Sequence, residues 1–238
     1  MSDKLTVLGS SSQGNGYLLE VGEDKLILEC GVPAKEMLQL LDWKPQGVFA
    51  LVSHCHSDHS KYIKQYQKFG INVYSNSDVA EKFERAKVLQ PMKRYKIGNF
   101  QVLPLEVPHG DCPNYAYHLA LPDGQTLLFA TDLTDFPYNI PNCNYICIEA
   151  NWSEDLLIDR IVNNEEARSS AQTHLELKQC MTLINRLKSA YLNKVVLLHL
   201  SAGNSNENAF IQEIKYHCGI DCVDVADRNK TFDLKPDF

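Results

Sequence analysis

His54-Cys55-His56-Ser57-Asp58-His59 packs three imidazoles and a carboxylate into six residues. The stretch directly follows Gly47 to Ser53, an apolar run that reads as a buried strand. Imidazole and carboxylate are the side chains zinc takes in catalytic sites. A loop leaving a strand end can turn several side chains toward one point while the sheet holds its base rigid. In a dry core, such a cluster would repel or lie unsatisfied without a cation. The stretch therefore reads as a metal-binding loop. The bland alternative is a chance run of surface histidines.

One loop supplies too few ligands for two metals. The same arrangement, a polar residue just past an apolar strand, recurs further along. His109 follows the strand-like 100–107, Asp132 follows Leu127-Leu128-Phe129-Ala130, and His199 ends Val195-Val196-Leu197-Leu198. A lone histidine at a strand end is more often structural. Several strand ends sharing one rim are what an open sheet uses to build a site. His118, in an alternating strand, and His217, in a helix-like stretch, read as structural.

Further strands are expected at Leu5 to Leu8, Tyr17 to Val21 and Lys25 to Glu29, separated by the turn-rich Gly9-Ser10-Ser11-Ser12-Gln13-Gly14-Asn15 and Gly22-Glu23-Asp24. The remaining strands are expected at 114–121, 126–130, 144–149 and 222–225. Helices are expected at 33–42 (opened by Pro33), 60–69, 77–88, 152–168, 174–192 and 206–218. In 174–192, Leu177, Met181, Ile184, Leu187 and Tyr191 share one face. The last dozen residues are polar and read as peripheral. With no linker or repeat, residues 1–238 read as one α/β domain of two sheets between helix layers.

Hydrophobic residues make up 44% and charged residues 22%, which excludes a disordered chain or a fibre. No apolar run reaches the roughly 18 residues that span a bilayer. Met1-Ser2-Asp3-Lys4-Leu5 leads straight into a strand, so a cytoplasmic protein with no membrane partner is expected. Eight cysteines form no CxxC pair. They read as small apolar residues of a reducing compartment, including the pairs 143/147 and 218/222. The net charge of −7 argues mildly against a binder of long nucleic acid, although bound metals would add positive charge to that count.

HxHxDH, a lone His, Asp in Ala130-Thr131-Asp132 and a late His, in that order, resemble the metallo-β-lactamase-fold hydrolases across nearly the whole chain. The resemblance implies a four-layer αββα sandwich with two divalent metal ions, zinc first and manganese as the alternative, at one edge between the sheets. It implies that His54, His56 and His109 hold one metal, that Asp58, His59 and His199 hold the other, and that Asp132 bridges them. Asp58 would also orient the nucleophile.

Within that superfamily, several stretches resemble the small bacterial YycJ/WalJ-type proteins, regarded as nucleases. They are Gly9 to Asn15, Glu149-Ala150-Asn151, Thr173-His174-Leu175, and His199-Leu200-Ser201 followed by Asn204 and Asn206. His174 resembles the extra histidine of phosphodiesterase members, including RNase Z, that protonates the leaving group. Thr173 and Glu176 form a T-x-x-E capping box, so His174 is expected to open the helix 174–192. An imidazolium there needs a negative partner, and substrate phosphate or Glu149 could serve. Two positions depart from the pattern: Glu29 stands where the family has Asp, and Trp152 where the YycJ type has His.

The expected function is therefore a phosphodiesterase or nuclease acting on single-stranded nucleic acid or on (cyclic) nucleotides. Ser11, Ser12, Asn15 and Glu149 are expected near the substrate. Lys61, Lys64 and Lys68, and six basic residues in 81–96 against Glu81 and Glu84, suit an anionic substrate or merely a solvated face. The alternative is a hydrolase of esters, thioesters or lactones of the glyoxalase II or lactonase type. Monomer and homodimer both stay open.

Overall fold

A computed structural model describes residues 3–110, 112–140, 142–156 and 172–234. The first half of the chain runs β1 (Lys4–Gly9), β2 (Gly16–Val21), β3 (Asp24–Leu28), α1 (Ala34–Leu40), β4 (Phe49–Leu51), α2 (Ser57–Ser60), α3 (Ile63–Lys68), β5 (Asn72–Ser75), α4 (Ser77–Lys82) and β6 (Lys87–Val88). The second runs β7 (Tyr95–Ile97), β8 (Phe100–Val107), β9 (Asn114–Ala120), β10 (Thr126–Ala130), β11 (Tyr145–Glu149), α5 (Leu177–Leu187), β12 (Lys194–Leu198), α6 (Glu207–Cys218) and β13 (Val223–Val225). A last strand, β14 (Thr231–Asp233), returns to pair with β1. The strand orders are β14-β1-β2-β3-β4-β5-β6 and β13-β12-β11-β10-β9-β8-β7. In each sheet the middle and one wing are parallel: β3 to β6, and β10 to β13.

The period-2 geometry of a strand sends alternate residues to opposite faces, and both faces are covered here. From β10, Leu127 and Phe129 enter the core between the sheets, meeting Leu5, Tyr17, Leu19 and Leu28. Leu128 and Ala130 point the other way, into a core with Leu177, Cys180, Ile184, Phe210 and Ile214 of α5 and α6. Likewise Leu18, Ile27, Ala50, Val52 and Val73 back onto Met37, Leu38, Ile63, Tyr66 and Val79 from α1, α3 and α4. Two sheets therefore lie between two helix layers, the αββα sandwich expected from the sequence. No helix among the described residues is long and apolar enough to cross a membrane.

Several boundaries differ from the sequence expectation. The stretch 77–88 is helical only through Lys82, after which Lys87–Val88 joins the first sheet as a short edge strand. The chain end is not wholly peripheral, because Phe232 of β14 and Leu234 just after it are buried. Helix α5 starts three residues after His174. Its N-cap is Glu176, whose carboxylate accepts from the amides of Lys178 and Gln179 while Gln179 bonds back. Glu176 is thus the cap and not the third residue of a Thr173 box, and Tyr191 lies beyond the helix, exposed. Most of the expected helix 152–168 falls outside the described residues.

Candidate metal centre

The carboxyl ends of β4, β8, β10, β11 and β12 open onto one rim, and the polar residues that follow them converge there. Three non-glycine residues just past β3, β10 and β12 have left-handed backbone: Glu29 (φ 68°), Asp132 (φ 54°) and His199 (φ 52°). Each conformation costs roughly 1–3 kcal/mol and persists only where surrounding contacts impose it. The turn aims each side chain inward off its strand. Asn114 imposes it at Asp132, its side-chain amide donating to the carbonyls of Thr131 and Asp132. Asn151 does so at His199, donating to its carbonyl at 2.8 Å.

The His54–His59 loop is laced to the end of β3. Cys30 N–H donates to the His59 carbonyl at 2.8 Å, and Asn15 N–H to the Asp58 carbonyl at 2.7 Å. Gly31 sits against this crossing, where a Cβ would overlap the Asp58 carbonyl. Both carboxylate oxygens of buried Glu29 accept from the Ser53 amide at 3.2 Å, and one lies 3.5 Å from His59 Nδ1. The Asp-to-Glu departure thus leaves an acid in place under the loop.

Two sets of donor atoms gather on the rim. His54, His56 and His109 form one; Asp58, His59, Asp132 and His199 form the other. Within each set, the ligand atoms lie within 4.8 Å of one another. His109 Nε2 is 3.2 Å from His56 Nδ1, and His109 Nδ1 donates to the Thr173 carbonyl at 2.8 Å, which fixes the tautomer and leaves Nε2 free to ligate. Asp132 Oδ2 lies 3.9 Å from His54 Nε2, 3.3 Å from His59 Nε2 and 3.8 Å from His109 Nε2, a position between the sets. His54 Nε2 is buried without a hydrogen-bond partner. That orphaned nitrogen and the mixed His/Asp donor sets fit borderline divalent metals such as zinc.

The charges of the metal-free cluster follow from burial and neighbours. Burial, then the nearby His59, pushes the His54 imidazole well below its ordinary value. Burial also opposes protonation of His199, but Asp132, Asp58 and Glu149 overcome it and raise the group to about 10. His59 is raised in the same way, against burial, by Asp132 and Glu29. Burial would raise the Asp58 carboxyl, yet hydrogen bonds with His199 and His59 hold it well below the carboxylate range.

Beside the second set stands a third group, Asp132, Glu149, His174 and His199. His174 Nδ1 donates to Glu149 Oε1 at 2.6 Å, and its ring stacks on that of His199 with centroids 5.1 Å apart. Trp152 Nε1 donates to the His174 carbonyl at 3.1 Å. Burial would lower the His174 imidazole, but the Glu149 carboxylate outweighs it and raises the group.

A cleft of about 540 Å³ exposes this rim, lined among others by Ser12, Cys55, His56, Asp58, Asp132 and His174. Ser12 is exposed on it. Glu149 and Asn15, also expected near substrate, are fully buried. Glu149 Oε2 accepts from the Leu133 and Leu175 amides, and Asn15 Nδ2 stands 3.2 Å from Asp58 Oδ2 and 3.0 Å from His59 Nε2. Their polar atoms are turned onto the cluster residues. Ser11 lies in a neighbouring groove, its carbonyl accepting from Asn15 and Gly14. Asn114 and Ser10 also serve the site, and in the sequence Ser10 stands out only as part of the turn Gly9 to Asn15. Ser10 Oγ accepts from the His199 amide at 2.9 Å. Its place in the turn after β1 was the one available signal.

No protein-family profile matches the chain. The exodeoxyribonuclease WalJ of Streptococcus pneumoniae (serotype 2, strain D39) is 25% identical over 267 aligned positions, covering 98% of this chain and 95% of that protein. YhfI from Bacillus subtilis, a metallo-β-lactamase fold protein, superposes with a TM-score of 0.74 at 18% identity, covering 97% of this chain and 99% of its own. A diphosphatase of the PhnP family superposes with a TM-score of 0.70 at 13% identity, covering 98% and 97%.

Proposed function

We propose that this chain, a hydrolase of the metallo-β-lactamase fold, is a two-metal phosphodiesterase acting on single-stranded nucleic acid ends or nucleotides. The observation that carries the reading is the His174–Glu149 pair, poised beside Asp132 at the cleft. His54, His56 and His109 would hold one ion, Asp58, His59 and His199 the other, and Asp132 both. When bound, such a pair supplies Lewis acidity and lowers the pKa of water from 15.7 toward ~7.

The chain's own residues supply the rest. Breaking a phosphodiester leaves negative charge on the departing oxygen, and an alkoxide leaves poorly without a proton. With Nδ1 held by Glu149, His174 presents Nε2–H as the donor. Glu149 keeps that imidazole charged without touching substrate, so it is a positioning residue. Asn15 and Glu29 brace Asp58 and His59 from behind, which limits rearrangement as charge develops. A thioester has little need of such an acid, because a thiolate leaves without one, so the pair favours phosphodiester chemistry over the thioester alternative.

The surroundings suit an anionic polymer. Lys61, Lys82, Lys87 and Lys93 lie 5.1–5.8 Å from the ring centres of Tyr62, Phe83, Tyr74 and Tyr95. Lys82 also donates to the Cys55 carbonyl at 2.9 Å, which ties this basic segment to the metal loop. Phe83 is buried and Tyr74 and Tyr95 pack against the core, so it is the lysines that this face offers to a phosphate backbone. The 25% identity to an exodeoxyribonuclease points the same way. The test is a substrate panel of bis-p-nitrophenyl phosphate, single-stranded DNA and RNA, cyclic nucleotides and S-lactoylglutathione, each with zinc and manganese. Turnover of the phosphodiesters is expected, and turnover of the thioester alone would overturn the reading.

A further inference from the structure

Two thiols face each other at the mouth of the cleft. Cys55 Sγ and Cys112 Sγ are 3.6 Å apart although the residues are 57 positions apart in sequence. Both are half-buried and both line the cleft, whereas Cys30, Cys143, Cys147, Cys180 and Cys218 are buried. Cys55 sits between His54 and His56, and Cys112 closes a turn on the His109 carbonyl through its amide at 3.1 Å. The two sulfurs therefore hang from the two loops that form the three-histidine set.

We propose that Cys55 and Cys112 are a redox-sensitive pair that forms a disulfide across the cleft mouth when the protein meets a hydroperoxide. A disulfide needs sulfurs about 2.05 Å apart, so the thiols must close by roughly 1.5 Å. The cross-link therefore requires side-chain rotation and a small shift of one loop. One thiol attacks the peroxide oxygen, forming a sulfenic acid and releasing one water. The second sulfur then attacks the sulfenic sulfur, forming the S–S bond and releasing a second water. Two thiols and one hydrogen peroxide thus give one disulfide and two waters.

The bond would draw the His54–His59 loop toward the His109 turn. The Cys55 carbonyl is already held by Lys82 Nζ and Ser60 Oγ, so the strain passes to the neighbouring histidines. His56 Nδ1 and His109 Nε2, 3.2 Å apart, are the atoms displaced. Oxidation is therefore expected to weaken metal binding at the three-histidine set by about tenfold or more, the scale seen when ligand orientation is disturbed. This consequence rests on the metal-centre reading above; the cross-link itself does not.

The test treats the full chain with one equivalent of hydrogen peroxide, alkylates the remaining thiols, and maps peptides by mass. A species joining the Cys55 and Cys112 peptides is expected, with a loss of two hydrogens that dithiothreitol reverses. Cys55→Ser and Cys112→Ser should each lack it. Alkylation of both thiols while other cysteines oxidise would overturn the pair, as would a sulfinic acid on one with its partner free. Zinc retention is measured on the reduced and the cross-linked chain. Equal retention would overturn the coupling to the metal set. A cross-link in a chain that neither binds zinc nor cleaves a phosphodiester would uphold the thiol pair and sink the metal-centre reading alone.

Discussion

His174 Nδ1 lies 2.6 Å from Oε1 of Glu149, a carboxylate with no exposure to solvent. This contact holds a proton on an imidazole that burial alone would strip. A general acid fails as pH rises through its own pKa. Replacing Glu149 with Gln removes the charge that raises His174, so the high-pH limb of kcat should move to lower pH. His174→Ala should cost roughly 10²- to 10⁴-fold on a substrate with an alkoxide leaving group. It should cost far less on bis-p-nitrophenyl phosphate, whose leaving group needs no proton. An unchanged pH profile in Glu149→Gln would remove the acid role.

Cleavage of single-stranded DNA should weaken steeply with salt, because lysine–phosphate contacts release counterions. Lys87→Glu combined with Lys93→Glu should lower kcat/KM for single-stranded DNA while sparing bis-p-nitrophenyl phosphate. An equal loss on both would show that the substitutions disturb the centre and that this face does not touch the strand.

Gly31→Ala should be among the most damaging single changes outside the cluster. The added Cβ meets the Asp58 carbonyl, which is backbone and already fixed by the Asn15 amide. A loss of about 3 kcal/mol or more is expected. Thermal unfolding and zinc content should fall together. A stable variant with full zinc content would mean that the loop is not clamped at this crossing.

Metal binding should release protons. His199, raised to about 10, is charged in the metal-free protein at pH 8, His59 is shifted in the same direction, and both must be neutral to ligate. Affinity for zinc should therefore climb with pH from 7 toward 10. Calorimetry at pH 8 in buffers of different ionisation enthalpy should give different apparent enthalpies. Identical enthalpies would contradict the charge state described for the cluster.

Much of the site was legible because its residues follow apolar strands. His54, His56, Asp58, His59, His109, Asp132 and His199 all do, and the sheets bring them to one rim. What escaped has identifiable causes. Residue type does not reveal whether Glu149 or Asn15 faces solvent or the back of the cluster. Glu176 is an uncommon N-cap, so the more familiar Thr173 signal drew the helix boundary toward His174. The strands β6, β7 and β14 have two or three residues each, too few to show a period. The left-handed turns at Glu29, Asp132 and His199 carry no glycine to betray them. The approach of Cys55 to Cys112 joins two loops that no local pattern links.

The most direct test is elemental analysis of protein purified without added chelator, followed by titration with zinc. About two transition-metal ions per chain are expected, falling sharply in Asp132→Ala, which removes the carboxylate between the two donor sets. A chain that carries none and takes up none on titration would contradict the account.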